Sequence, residues 1–280
     1  MADKKRVLVT GGGTFLGDNI AAALIAEGAD VTLLVRPGTE DRLGVLARRV
    51  RWWSADVWDS ASLKGRARGH ELVINTVGSL VADPSKGLTH NRLNFFSARN
   101  IAAMCISDGV PEMILLSSAY APWLSRSYIQ SKREAERYIV RVGVRGTIIR
   151  APLTYVRRQR RAPFFALMTL LGSVPPLSWS FMGRIAPMPV DVLARGVARV
   201  ALHNNRDKRI YYARDLRRLN TPDELSRDLI ETPSGPPPPP APDTAPSADD
   251  QTPAIAPRRS PLDFMDEDAP FGWTPPDDRD

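Results

Sequence analysis

One cysteine, three histidines and no apolar run of roughly 18 residues set the first limits on this chain. Cys105 has no second cysteine to bridge to, which excludes an intrachain disulfide and fits a reducing compartment. Set in Ile101-Ala102-Ala103-Met104-Cys105-Ile106, it reads as a small buried residue. His70, His90 and His203 are scattered, so no zinc-ligand spacing exists. Lys4, Lys5 and Arg6 lead directly into an apolar strand, with no apolar leader and cleavage site, so the chain is expected to be cytoplasmic. No repeat of roughly 20 to 50 residues is visible.

Charge and proline divide the chain unevenly. Of 25 prolines, 14 lie in residues 232–280, including Pro236 to Pro240. That tail carries three basic and ten acidic residues. The whole chain is +7, so residues 1–231 carry about +14. A basic body of residues 1–231 and a disordered, acidic, proline-rich tail over 232–280 follow from this composition. The basic body lacks a nucleic-acid reader motif, so no specific nucleic-acid partner is expected.

Within the body, short apolar runs alternate with helical patterns. Val7–Val9, Val31–Val35, Val50–Trp53, Leu72–Asn75, Met113–Leu116, Thr147–Ile149 and Ile210–Tyr212 read as strands. Asp18–Glu27, Leu93–Asp108 and Tyr128–Val142 read as helices, the first stopped by Gly28 and the second by Gly109. This alternation predicts an α/β fold of Rossmann type, a doubly wound parallel sheet covered on both faces. Trp52, Trp53 and Trp58 are expected to pack in the core and on the adenine side of a nucleotide site.

Directly after the first strand comes Thr10-Gly11-Gly12-Gly13-Thr14-Phe15-Leu16-Gly17. A strand running through a glycine turn into a helix cradles a dinucleotide pyrophosphate. Glycines admit the phosphates, and the helix start offers open N–H groups. Gly11, Gly13, Thr14, Phe15, Leu16 and Gly17 are the candidate phosphate contacts. Strand two ends at Val35 and is followed by Arg36-Pro37-Gly38 rather than by an acid. A guanidinium there suits the 2′-phosphate of NADP, which makes NADP the preferred cofactor and NAD the second choice.

Tyr128-Ile129-Gln130-Ser131-Lys132 follows a strand that ends in Ser117-Ser118. Tyrosine and lysine four apart share a helix face. A nearby ammonium favours the ionised phenol, which equips the pair for proton transfer at neutral pH. A serine beside them would hold a substrate carbonyl.

On these motifs the chain resembles the short-chain dehydrogenase/reductase superfamily, in its atypical and extended branches, from about Lys5 to Leu229. Those branches usually read Thr-Gly-Gly-x-Gly-Phe-Leu-Gly at the turn, so Thr14 stands at the middle glycine, where a Cβ opposes positive φ. The run Ser131-Lys132-Arg133-Glu134-Ala135-Glu136 is similar to the corresponding helix of the atypical branch. The resemblance implies Tyr128 as acid/base, Lys132 as its partner and ribose ligand, and Ser118 (or Ser117) as orienter. It implies Asp56 and Val57 on the adenine side, and Asn75, Thr76 and Val77 along the nicotinamide ribose. Ten residues separate Ser118 from Tyr128, fewer than is usual in extended members, which would displace the serine.

Residues of about 155–190 correspond to that family's substrate lid. Arg157, Arg158, Arg160 and Arg161 precede Phe164-Phe165-Ala166-Leu167-Met168, which suits a lipid-like small molecule or a peripheral contact of 157–183 with the inner face of an anionic membrane. This segment is similar to atypical members associated with respiratory complex I and quinone biosynthesis. Acid and aromatic residues mix in the 263–273 tail, as in short protein-docking motifs. The leading expectation is an NAD(P)-dependent oxidoreductase or epimerase-like enzyme. The alternative is a non-catalytic NAD(P)-binding scaffold or redox sensor attached to membrane quinone or respiratory machinery.

Overall fold

A computed structural model describes residues 4–156, 187–203 and 208–225. The expected lid, most of which falls in 157–186, and the 232–280 tail lie outside the described residues.

Seven parallel strands form one sheet in the order β3-β2-β1-β4-β5-β6-β9. They are β1 (Arg6–Gly12), β2 (Asp30–Val35), β3 (Arg51–Ser54), β4 (Leu72–Asn75), β5 (Glu112–Ser118), β6 (Arg145–Ala151) and β9 (Ile210–Tyr212). β7 (Thr154–Tyr155) and β8 (Met188–Pro189) make a separate parallel pair. The chain winds outward from β1 to β3, then returns to place β4 on the other side of β1. The α/β doubly wound fold is therefore as expected, and the reversal between β1 and β4 opens a crevice at the strand C-termini.

Alternation along each strand feeds two cores. Val7 and Val9 pack with Ile20 and Leu24 of α1 (Phe15–Ala26) and with Leu193 and Val197 of a later helix, Val190–Leu202. Leu8 and Leu34 face the other way, with Val73, Met113, Ile101, Cys105 and Ile139. Those last three residues come from α3 (Ser97–Ser107) and α4 (Arg126–Arg141). The short α2 (Ser60–Leu63) precedes them; Val190–Leu202 is α5 and Ala213–Arg218 is α6. Cys105 is buried, as its surroundings in the sequence predict.

Two expectations change. Trp52 and Trp53 are 38% and 44% exposed, not core residues, because β3 is the sheet's edge strand. The helix expected from Leu93 begins earlier, as a π turn over Asn91–Phe96 that runs into α3.

Candidate dinucleotide site

The glycine turn forms at the end of β1. The register with β2 slips between Thr10 and Gly12, and Gly11 takes φ +87°. Gly13 takes φ +77°. Thr14 is extended, at φ −110°, and is the N-cap of α1. Its Oγ1 accepts from Gly17 N at 3.2 Å and donates to Gly11 O at 2.6 Å. The positive dihedrals fall on Gly11 and Gly13, so the expected conflict at Thr14 does not arise. Thr14 instead caps the helix as threonine does elsewhere. A Cβ at Gly17 would lie 2.1 Å from Gly11 O, which is why helix and strand can approach so closely here.

The first intrahelical bond runs from Asp18 N to Thr14 O at 3.0 Å. The N–H groups of Phe15 and Leu16 precede it and are left to an external acceptor. A diphosphate fits this cradle. One acid stands beside it: Asp18 Oδ1 accepts from Gly13 N at 2.9 Å. Burial pushes the Asp18 carboxyl up to about 7, against the pull of that bond. Asp18 adjoins the glycine motif but was not read as a site residue.

Around the turn, Gly12 pairs with Val35, so Arg36 emerges next to the glycines. A Cβ on Gly13 would lie 3.2 Å from Thr39 O and 3.3 Å from Arg42 Cβ, so the loop after β2 lies over the turn. Asp56 closes the turn after β3, accepting from Trp58 N at 2.9 Å; the cap of α2 is Asp59. Val57 points its side chain into the core, leaving its backbone for any contact, and its carbonyl accepts from Asn100 at 3.0 Å.

Asn75, Thr76 and Val77 are buried. Asn75 Oδ1 accepts from Thr10 Oγ1 at 2.9 Å and from Val77 N at 3.0 Å. Its Nδ2 has no partner among the described residues, an orphan of the kind that a ligand or water satisfies. Gly78 follows at φ +153°, where a Cβ would sit 2.6 Å from Lys132 Nζ and 2.5 Å from Asn94 Oδ1. The bare backbone thus lets the strand-four turn run against both side chains. Asn94, carried by the π turn, donates to Ser79 O at 2.9 Å and accepts from Ser79 N at 3.1 Å. Nothing in the sequence reading marked it.

Ser118, Tyr128 and Lys132 meet at the end of β5. Ser125 caps α4, accepting from Tyr128 N at 3.1 Å, which sets Tyr128 in the helix's first turn. Tyr128 and Lys132 are each 1% exposed. Lys132 Nζ donates to Leu116 O at 3.3 Å. Ser118 Oγ donates to Ala119 O at 3.0 Å and stands near enough to the phenol to pull against its upward shift. Ser117 points elsewhere, donating to Glu136 Oε1 at 2.6 Å.

The electrostatics differ from the simple pairing expected. Burial pushes the Tyr128 phenol above its ordinary value, with Ser118 and Arg133 pulling the other way. Burial brings the Lys132 ammonium down to about 7, against the pull of Glu136. Desolvation therefore outweighs the pull of Ser118 and Arg133 toward the phenolate. His90 stands edge-on to Tyr128, with ring centroids 5.6 Å apart.

Beneath the site lies an ion cluster. Burial works against the Glu136 carboxylate, yet Arg150, Ser117 and Arg133 together hold it below its ordinary range. Arg133 donates to Glu136 and, at 2.9 Å, to Ser118 O. The sequence contained these residues within motifs but showed no role for them.

A family model described as NAD(P)H-binding matches residues 11–161. An uncharacterized chloroplastic protein of Arabidopsis thaliana is 28% identical over 170 residues, covering 57% of this chain and 54% of that one. The chain thus spans about half the length of that curated relative. Among solved structures, UDP-glucose 4-epimerase from Bifidobacterium longum, in complex with NAD+ and UDP, is 17% identical with a TM-score of 0.55, covering 74% of this chain and 76% of that one. A dTDP-glucose 4,6-dehydratase from Streptomyces venezuelae, with NAD bound, is 22% identical with a TM-score of 0.53, covering 70% and 71%. A short-chain dehydrogenase/reductase from Veillonella parvula, in complex with NADP, is 14% identical with a TM-score of 0.51, covering 72% and 89%. These likenesses show the fold.

Proposed function

The chain belongs to the NAD(P)H-binding family, and on that premise we propose that it is an oxidoreductase of the short-chain dehydrogenase/reductase type that prefers NADPH and acts on a small carbonyl or alcohol. The observation that carries this reading is the meeting of Ser118, Tyr128 and Lys132 at the end of β5, beside the strand-four turn.

The nicotinamide would supply or accept a hydride. The chain's own residues do the rest. Phe15 and Leu16 N–H groups bind the diphosphate, and Arg36 binds the 2′-phosphate. The Ser118 hydroxyl holds the substrate oxygen. The Tyr128 phenol donates its proton to that oxygen in reduction and takes it back in oxidation. Lys132 Nζ binds ribose hydroxyls. Each acceptor added there favours its ammonium form, which in turn favours the phenolate.

A second reading, a non-catalytic NAD(P)-binding scaffold, draws on the same burial. A phenol 1% exposed and pushed above its ordinary value is poorly prepared for proton transfer. Among the described residues no helix is long and apolar enough to cross a membrane. The segment proposed to meet a membrane, 157–183, is outside them.

Titration with NADPH and NADH, followed by a carbonyl panel with Tyr128→Phe, tests both readings. The enzyme reading expects NADPH to bind at least tenfold tighter than NADH, Arg36→Ala to erase that preference, and Tyr128→Phe to cost about 100-fold or more in turnover. Tight binding without turnover would establish the scaffold. Binding of neither cofactor would overturn both.

A further inference from the structure

On the opposite edge of the sheet from the dinucleotide crevice, a groove of about 920 Å³ opens beside the N-terminal ends of β1, β2 and β3. Its floor is apolar, with Ile25, Ala29, Val31 and Val50. Its rim carries Lys4, Arg6, Arg48, Arg49 and Arg51 against one acid, Asp30. Asp30 is already paired with Arg51. Lys4, Arg48 and Arg49 have no acidic partner among the described residues. Five cations over an apolar floor make a receptor for a segment that is both acidic and greasy.

Such a segment exists in the same chain. Asp263-Phe264-Met265-Asp266-Glu267-Asp268 combines four acids with two large apolar residues, and Phe271 and Trp273 follow. The chain also leaves the described body beside this groove. Glu224 accepts from Arg199 Nη1 at 2.8 Å, and Arg199 Nε donates to Glu27 at 2.8 Å. Glu27 lies two residues from both Ile25 and Ala29 of the floor. From Leu225 to Asp263 there are about 38 residues, a length of chain sufficient to reach back to this edge.

We infer that the basic groove at the N-terminal edge of the sheet receives the chain's own acidic segment, residues 263–273. Single exposed ion pairs contribute little, but tethering supplies an effective concentration on the order of millimolar. Several weak contacts then suffice. The association is intramolecular, weakens with salt, and masks the basic edge from other anionic surfaces.

The test uses the full chain and reads the rate at which phenylglyoxal modifies Arg48 and Arg49. A second full-length protein carries Asp263→Asn, Asp266→Asn, Glu267→Gln and Asp268→Asn. All four changes lie outside residues 1–231 in sequence, so the core of the body is untouched. At low salt, Arg48 and Arg49 should react at least about threefold more slowly in the natural sequence than in the neutralised one. Half-molar salt should remove the difference, and dilution should leave it unchanged. Equal rates in the two proteins would overturn the inference. A difference that grows with protein concentration would assign the groove to a second copy. Protection that needs added phosphatidylglycerol vesicles would assign it to a lipid surface. Either result also overturns it.

Discussion

Arg150 on β6 donates twice to Glu136 on α4, Nε to Oε1 at 3.1 Å and Nη2 to Oε2 at 2.6 Å. The pair lies under the strand end that carries Ser118, and Arg150 Nη1 also donates to the Tyr212 hydroxyl at 2.8 Å. One carboxylate thereby ties α4, β5, β6 and β9 together. Its side chain is 6% exposed, and Arg150's is 20% exposed. Removing one partner of a buried pair leaves the other uncompensated. Glu136→Ala is therefore expected to lower stability by about 3 kcal/mol in urea unfolding. It should also weaken turnover, because Arg133 loses the partner that holds it against the Ser118 carbonyl. A loss below about 1 kcal/mol would show that the cluster is solvated and adds little.

Lys132 gives stability a pH slope. Its folded value of about 7 lies below its ordinary value of 10.5. Between those values the unfolded chain holds more protons than the folded one, so stability rises with pH. The contribution is complete above about 10.5 and is lost as pH falls toward about 7. Cys105 and Tyr128 are both raised by burial and act in the opposite sense above about pH 9. The window for measurement is therefore pH 7 to 9. There, unfolding free energy should rise by up to ~1.4 kcal/mol per pH unit in the natural protein, relative to Lys132→Met. Parallel curves for the two proteins would remove the buried ammonium from the account.

Gly17 tests the close packing of the glycine turn. Its added Cβ would meet a backbone oxygen, Gly11 O, at 2.1 Å, and backbone cannot swing aside as a side chain can. Gly17→Ala should cost about 1–3 kcal/mol of stability through overpacking. It should also weaken NADPH binding, since α1 and its open N–H groups must move. Thermal unfolding and cofactor titration read the two effects separately. Gly28→Ala meets nothing within 4 Å, so its cost comes from φ +88° alone and should spare binding.

Strand positions were legible where short apolar runs are continuous. Leu72–Asn75 and Ile210–Tyr212 form with the bounds that the sequence implies. Edge position was not legible. Nothing in Arg51-Trp52-Trp53-Ser54 says that no strand pairs with its outer side, where Trp52 and Trp53 stay 38% and 44% exposed. The candidate site divides the same way. The glycine turn and the Tyr128–Lys132 spacing are local patterns, readable in a linear string. Asn94, and Glu136 with Arg150, act through contacts that exist only after the sheet has formed. Thr14 shows a subtler limit. A motif compared letter by letter places threonine at a glycine position, whereas the backbone shifts the left-handed dihedral to Gly13.

Asp18 makes the last and sharpest prediction. Its carboxylate occupies Gly13 N–H in the turn where a diphosphate would bind. Its folded value, about 7, lies above the ordinary 3.8. For folding, this group therefore stabilises the protein fully below about 3.8, and that contribution is lost as pH rises through about 7. For binding, the same charge forms as pH rises through about 7 and would then repel a pyrophosphate bound at the glycine turn. ADP-ribose is the right probe, because neither of its esterified phosphates changes charge in this range. Its affinity should be highest near pH 6 and fall by about tenfold by pH 8.5, the size of a charge–charge term of ~1.4 kcal/mol at intermediate dielectric. Asp18→Asn keeps an acceptor for Gly13 N–H and removes the charge. It should bind at pH 8.5 about tenfold more tightly than the natural protein does at that pH, keeping only the pH dependence that Lys132 imposes on both. Lys132 also titrates near 7, and its loss of positive charge weakens anion binding in the same direction, but equally in both proteins. The difference between the two curves therefore isolates Asp18. Coincident curves would mean that the carboxylate shapes the loop without opposing the ligand.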